Sequence, residues 1–304
     1  MNRQPSNIAA SIHRRLLNAN RTLKENFNYV LSRYAIERLL YRLAKSGQSN
    51  NFVLKGATLF LVWTGRTYRP TKDLDLLGYG EISNEQIAVQ FQQICLAEVE
   101  PDGLIFDPRS ISVSDIREDQ EYQGKRIDLS AKFGKARINL QIDIGFGDSV
   151  TPDAQEITYP TLIDLPAPQI RAYPRETVIA EKLQAMVALG IINSRMKDFA
   201  DIYVLSRQFN FDGVVLTKAI NATFVRRKTA IPNEMPFALT DEFATTPDKI
   251  THWNGFLQRS RSPEVPTNFL NVVHNIRAFL MPPLLAIAAQ DTFTKQWSYE
   301  NQWR

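Results

Sequence analysis

Apolar residues recur at helical spacing through "SRYAIERLLYRLAKSG". Tyr34, Ile36, Leu39, Leu40 and Leu43 share one side of a helix that stops at Gly47. Arg33, Arg38, Arg42 and Lys45 lie on the other side, where a solvated face or a nucleic-acid contact both fit. The spacing then predicts a short strand, Phe52–Leu54, a turn at Gly56 and a helix from Thr58 to Trp63. A strand follows over Asp73–Leu77. A helix follows in "SNEQIAVQFQQICLAEV", capped by Ser83 or Asn84. From 104 to 148 the period shifts to strands in "ISVSDI", "RIDLSAKF" and "RINLQIDIGF", with turns at Gly124 and at Gly134–Lys135. The proline-rich 159–174 reads as an extended linker. Beyond it the pattern is helical over 175–190, 194–209, 213–225, 247–259 and 267–289. These elements predict an α+β fold with a mixed sheet in residues 1–160, and a mainly helical domain in 161–304.

Composition narrows the chemistry. The chain has 304 residues, 44% hydrophobic and 22% charged, enough for a substantial core. A net charge of +4 is compatible with a polyanionic partner without requiring one. One cysteine, Cys95, leaves no intrachain disulfide and no cysteine-rich zinc site. The three histidines, His13, His252 and His274, are scattered without metal-ligand spacing. No signal peptide and no apolar run of membrane-spanning length stand out, so a cytoplasmic protein without a membrane role is expected.

Candidate chemistry starts at Asp73 and Asp75 in "TKDLDLLGYG". Positions i and i+2 of a strand share a face, about 6.6 Å apart. Two carboxylates so placed repel, and a hard divalent cation such as Mg²⁺ or Mn²⁺ relieves the repulsion. Asp143, alternating with Ile142 and Ile144, supplies a third acid, and three carboxylates can hold a pair of metal ions. Asp128 competes for that position, but its neighbour Arg126 makes an ion pair the simpler expectation. In "KGAT" (55–58) Gly56 permits a tight turn. Thr58 places a hydroxyl near a helix start, suited either to a phosphate or to a helix cap. No GxxxxGKS/T loop is present.

Later, Lys182 falls within the apolar stripe Val178, Ile179, Leu183, Met186 and Val187. It must snorkel, pair with an acid or meet an anion. Asp198 and Asp201 sit at i, i+3 on the following helix, which Asn193 or Ser194 would cap. Arg195 and Lys197 can pair with these acids or contact phosphate. Arg226, Arg227 and Lys228, and the stretch "QRSRS", lie near Phe224 and Trp253. That mixture suits either ordinary solvated charge or stacking on single-stranded RNA.

In order, "LKGAT", "RPTKDLDLLG", "QIDIGFGD" and "AEKLQAMVALGIINSRMKDFADIYVL" resemble the AbiEii/AbiGii-type nucleotidyltransferase toxins of the DNA polymerase β-like superfamily, over roughly residues 30–210. The resemblance implies a nucleotidyltransferase-fold core and an NTP substrate held with Mg²⁺ or Mn²⁺. It also implies a cognate antitoxin, and transfer of a nucleoside monophosphate to a hydroxyl of RNA (the tRNA 3′ end) or of a protein. It assigns Gly56 and Thr58 to the triphosphate and Asp73 and Asp75 to the metals. Asp143 becomes the third ligand or the base. Lys182 meets phosphate, with one of Asp198 and Asp201, Asp198 preferred, orienting it or touching the nucleotide. The chain departs from the family pattern at Ala57, where many relatives have a second glycine. A nucleotide-sugar glycosyltransferase using the same Asp-x-Asp pair, or a non-catalytic nucleotide- or RNA-binding protein of this fold, is the alternative.

Overall fold

A computed structural model describes the chain except for residues 1–5, 68–70, 72, 81, 120–121, 261–263 and 301. Lys72, parts of the loop 65–72, and Arg261 with Ser262 of "QRSRS" therefore lie outside the described residues. The chain divides into two compact units. One comprises residues 1–147 with 155–172, the other 148–154 with 173–304.

The first unit begins with helices α1 (Ser6–Leu23) and α2 (Phe27–Lys45), then β1 (Phe52–Lys55), α3 (Leu59–Thr64), β2 (Asp73–Gly78) and α4 (Asn84–Leu96). Strands β3 (Leu104–Phe106), β4 (Ser112–Asp119), β5 (Tyr122–Phe133), β6 (Ala136–Phe146), β7 (Gln155–Thr158) and β8 (Gln169–Ala172) complete it. They form a mixed sheet in the order β3–β5–β6–β2–β1–β8–β7, with β4 also paired to β5. The parallel pair β2–β6 is its centre. Alternation sorts the two sheet faces. Leu74, Leu76, Ile127, Leu129, Ile142 and Ile144 are buried on one side, where α2 contacts β6. The side chains between them are acids, amides and cations. Ser83 caps α4 through a reciprocal box with Gln86, as the sequence permits.

Two expectations change here. The proline-rich stretch is not simply a linker, because β8 lies within it and pairs with β1 and β7. The basic side of α2 is not the solvated or nucleic-acid face expected, except at Lys45, which is exposed. Arg38 and Arg42 are buried and both bond Asp102, at 3.2 Å and 2.6 Å. Arg33 pairs with Glu25 at 2.9 Å.

The second unit holds α5 (Arg175–Leu189), α6 (Met196–Gln208), β9 (Phe211–Asp212), α7 (Gly213–Arg226), α8 (Asp241–Thr245), α9 (Pro247–Ser260) and α10 (Phe269–Ala288). Strands β10 (Gln296–Ser298) and β11 (Gln302–Trp303) close it. Phe199, Phe243, Trp253 and Phe269 pack ring against ring in its core, stacked or edge-on. Trp253 and Phe224 are fully buried, so neither is a stacking platform for RNA, and Arg227 turns inward to Asp148 at 2.9 Å. α10 is long and apolar enough to cross a membrane by length and composition, against the sequence expectation. Here it is a core helix: it packs on α6, α7 and α8, and its Arg277 bonds the Leu239 carbonyl.

Candidate active site

Sheet register builds the site. Lys55 pairs with Asp75, Asp75 with Asp143, and Asp143 with Arg126. These four side chains form one row across β1, β2, β6 and β5, at about 4.8 Å per strand. The adjacent row on the same face holds Asp73, Gln141 and Asp128, again in register. Asp73, Asp75 and Asp143 thus share the polar face of the central parallel pair, while Leu74, Leu76, Ile142 and Ile144 anchor the other face in the core.

Gly56 is fixed by this arrangement. Its φ is +80°, and a Cβ built there would lie 1.9 Å from Asp75 Oδ2. The Asp75 carboxylate occupies the space that any side chain at position 56 would need. A left-handed turn with close approach over the Cα admits only glycine. Thr58 is buried, and its hydroxyl donates to the Lys55 carbonyl at 3.4 Å rather than capping α3.

Asp143 is engaged within the protein. Arg126 donates to it from Nε at 2.9 Å and from Nη2 at 2.8 Å, and the Gln141 amide approaches at 3.4 Å. This corrects the expectation that Arg126 serves Asp128. Both alternate on β5 and share a face, but Asp143 is the residue directly opposite Arg126. That pairing was legible from the hairpin: the turn at Gly134–Lys135 joins Phe133 to Ala136, and counting back along both strands brings Arg126 opposite Asp143. Its hydrogen bonds to Asp143, with the nearby charges of Asp73 and Asp128, strengthen the hold of Arg126 on its proton.

Among the described residues, no three His, Cys, Asp or Glu side chains converge closely enough to hold a metal ion. The donor set nonetheless fits a hard divalent cation in kind: carboxylate oxygens on neighbouring positions of one face, with Asp75 seated by Gly56.

Within the second unit, Lys182 bridges both candidate aspartates. Its Nζ lies 2.6 Å from Asp198 Oδ1 and 2.8 Å from Asp201 Oδ2. Arg195 Nε lies 2.7 Å from Asp198 Oδ2. Burial pushes the Asp198 carboxyl up; the Lys182 and Arg195 charges outweigh it and hold the group below its ordinary range. Arg195 is half exposed, whereas Asp198 is sealed. The expected cap of α6 is absent: Arg195 occupies the N-cap position, and Asn193 instead accepts from the Arg195 N–H.

Comparison with known proteins gives this geometry a context. No curated protein matches the chain. Two crystal structures from Helicobacter pylori are similar. One is described as a candidate nucleotidyltransferase, at 15% identity, covering 95% of each chain with a TM-score of 0.45. The other is JHP933, at 14% identity, covering 83% of this chain and 93% of that one with a TM-score of 0.43. The sequence model of the nucleotidyl transferase AbiEii toxin family, a type IV toxin–antitoxin system, matches residues 38–280. That span takes in the Gly56 turn, the carboxylate rows and the Lys182 cluster. The chain belongs to the AbiEii family of toxin nucleotidyltransferases.

Proposed function

We propose that this nucleotidyltransferase is metal-dependent and transfers a nucleoside monophosphate from an NTP to a hydroxyl of cellular RNA, the tRNA 3′ end being the leading acceptor, with loss of pyrophosphate. The observation that carries the reading is the seat of Asp75 over Gly56, in a row with Asp143 and beside Asp73. Asp73 and Asp75 would hold the divalent ion, with Asp143 as third ligand or as acceptor of the hydroxyl proton at a carboxylate oxygen. When bound, Mg²⁺ or Mn²⁺ supplies charge neutralisation to the triphosphate and acidifies the attacking hydroxyl. Gly56 holds Asp75 in position, and the 56–58 turn would receive the phosphates. Thr58 takes part only if its hydroxyl leaves the Lys55 carbonyl. Lys182 would draw charge from phosphate, Asp198 and Asp201 orient its ammonium, and Arg195 offers a half-exposed guanidinium for the nucleotide. A cognate antitoxin protein is the implied partner, and the cytoplasm the implied compartment.

The test incubates the purified chain with each labelled NTP, Mg²⁺ and total RNA or lysate. Label is expected in RNA, lost in Asp73→Ala and Asp75→Ala, and lost on chelation. Label in protein instead would replace the acceptor. No transfer from any NTP would end the reading.

A further inference from the structure

We infer that Arg126 is the built-in counter-ion of the carboxylate row: it yields Asp143 to an arriving divalent cation and turns its guanidinium to the phosphates of the accompanying nucleotide. This rests on the metal reading above and adds a phosphate-binding residue to it.

Asp75 and Asp143 are direct register partners on adjacent strands, so their charges need a cation between or beside them. The Arg126 fork supplies one, with two bonds to Asp143 of 2.9 Å and 2.8 Å. The pair is not sealed. The Arg126 side chain is 38% exposed and that of Asp143 is 21% exposed. By contrast Arg38, Arg42 and Asp102 are 0%, 7% and 2% exposed. A solvent-reached ion pair contributes little net stability, so a doubly charged ion can displace it. Arg126 cannot leave the site when that happens. Its strand is clamped between β4 and β6, and its side chain starts on the carboxylate face. Asp73 and Asp128 stand in the adjacent row of the same face, so further carboxylates flank the guanidinium at the row. A planar fork there matches two phosphate oxygens better than a lysine would.

The test titrates Mn²⁺ into the full chain without nucleotide, read by electron paramagnetic resonance of the free ion. Arg126→Gln is expected to bind Mn²⁺ roughly tenfold more tightly than wild type, because the competing cation is gone. With Mn²⁺ saturating, its affinity for a non-hydrolysable NTP analogue is expected to fall by roughly tenfold. Arg126→Lys keeps the charge and loses the fork, so it should match wild type for Mn²⁺ and resemble Arg126→Gln for nucleotide. It decides the matter should Arg126→Gln fail to fold. Equal or weaker Mn²⁺ binding in Arg126→Gln, or unchanged nucleotide affinity, overturns the inference. Asp75→Asn separates the two failures. If it loses Mn²⁺ while Arg126→Gln is unchanged, the metal reading stands and only the arginine role falls. If wild type binds no Mn²⁺, both fall.

Discussion

Replacing Gly56 with alanine tests the seat of Asp75 with a single methyl group. The new Cβ would meet Asp75 at Oδ2, Cγ and Cβ, at 1.9, 2.6 and 2.7 Å. None of these is tolerable, so the aspartate must rotate away or the turn must open. Alanine at φ +80° adds a left-handed backbone cost of about 1–2 kcal/mol. Driving Asp75 off its rotamer adds about 0.5–1.5 kcal/mol. A loss of about 2–3 kcal/mol is expected, read as a lowered urea midpoint at unchanged slope, combining the two contributions. Nucleotidyl transfer should fall much further, by roughly 100-fold, because the oxygen proposed to hold the metal is displaced by more than an ångström. A double-mutant cycle isolates the contact. In the Asp75→Ala background two of the three clashing atoms are gone, so Gly56→Ala should cost less there, with a coupling of about 1 kcal/mol. Wild-type stability and activity in Gly56→Ala, or additive effects in the cycle, would refute the reasoning.

Three further outcomes follow from the ionic groups. Asp102→Ala strands two buried guanidiniums and should cost about 3–5 kcal/mol in urea unfolding, with loss of soluble protein the extreme result. Burial raises the Glu37 carboxyl from 4.5 to about 7, against the Leu162 N–H and Arg38, which oppose the shift. The folded state therefore binds that proton more tightly than the unfolded one, and stability drains as pH rises from 4.5 to about 7. Glu37→Gln should remove that slope and gain up to about 3 kcal/mol on wild type between pH 5 and pH 8. Asp198 carries the opposite sign. Held below its ordinary 3.8, it contributes stability above that value and loses it on acidification, so the advantage of wild type over Asp198→Asn should shrink from pH 7 to pH 3.

Much of the fold could be read from periodicity. The β2 and β6 strands, the Ser83 cap and the helices of the second unit follow from alternation, cap chemistry and 3.6-residue spacing. These are properties of a few consecutive residues. What escaped depends on residues far apart in the chain. Nothing near Arg38 and Arg42 announces Asp102, 64 and 60 positions on, so a buried triad looks like a solvated basic face. The strand at Gln169–Ala172 was hidden by flanking prolines, and its partner β1 lies far upstream. In the site, the common face of Asp73, Asp75 and Asp143 was legible from alternation, as was Lys182 standing in an apolar stripe. That one ammonium holds both Asp198 and Asp201 was not, because it requires the packing of α5 on α6.

The acids of this chain divide by where their oxygens stand. Asp102 accepts from Arg38, Arg42 and the Leu104 N–H in a sealed interior, so its lone pairs are spent on the fold. Asp198 is equally sealed, and its two oxygens are taken by Lys182 and Arg195. A carboxylate in that state can position a lysine, which is the role proposed above for Asp198 beside Lys182. Asp73, Asp75 and Asp143 differ on two counts. They stand on a polar sheet face with partial exposure, and Asp75 is seated where a glycine has given up its side chain. A fold that needed only a charge in β2 would place no such demand on position 56. The requirement for glycine there is explained by an aspartate held to a defined position, and a defined position is what the proposed metal-binding role asks of an acid.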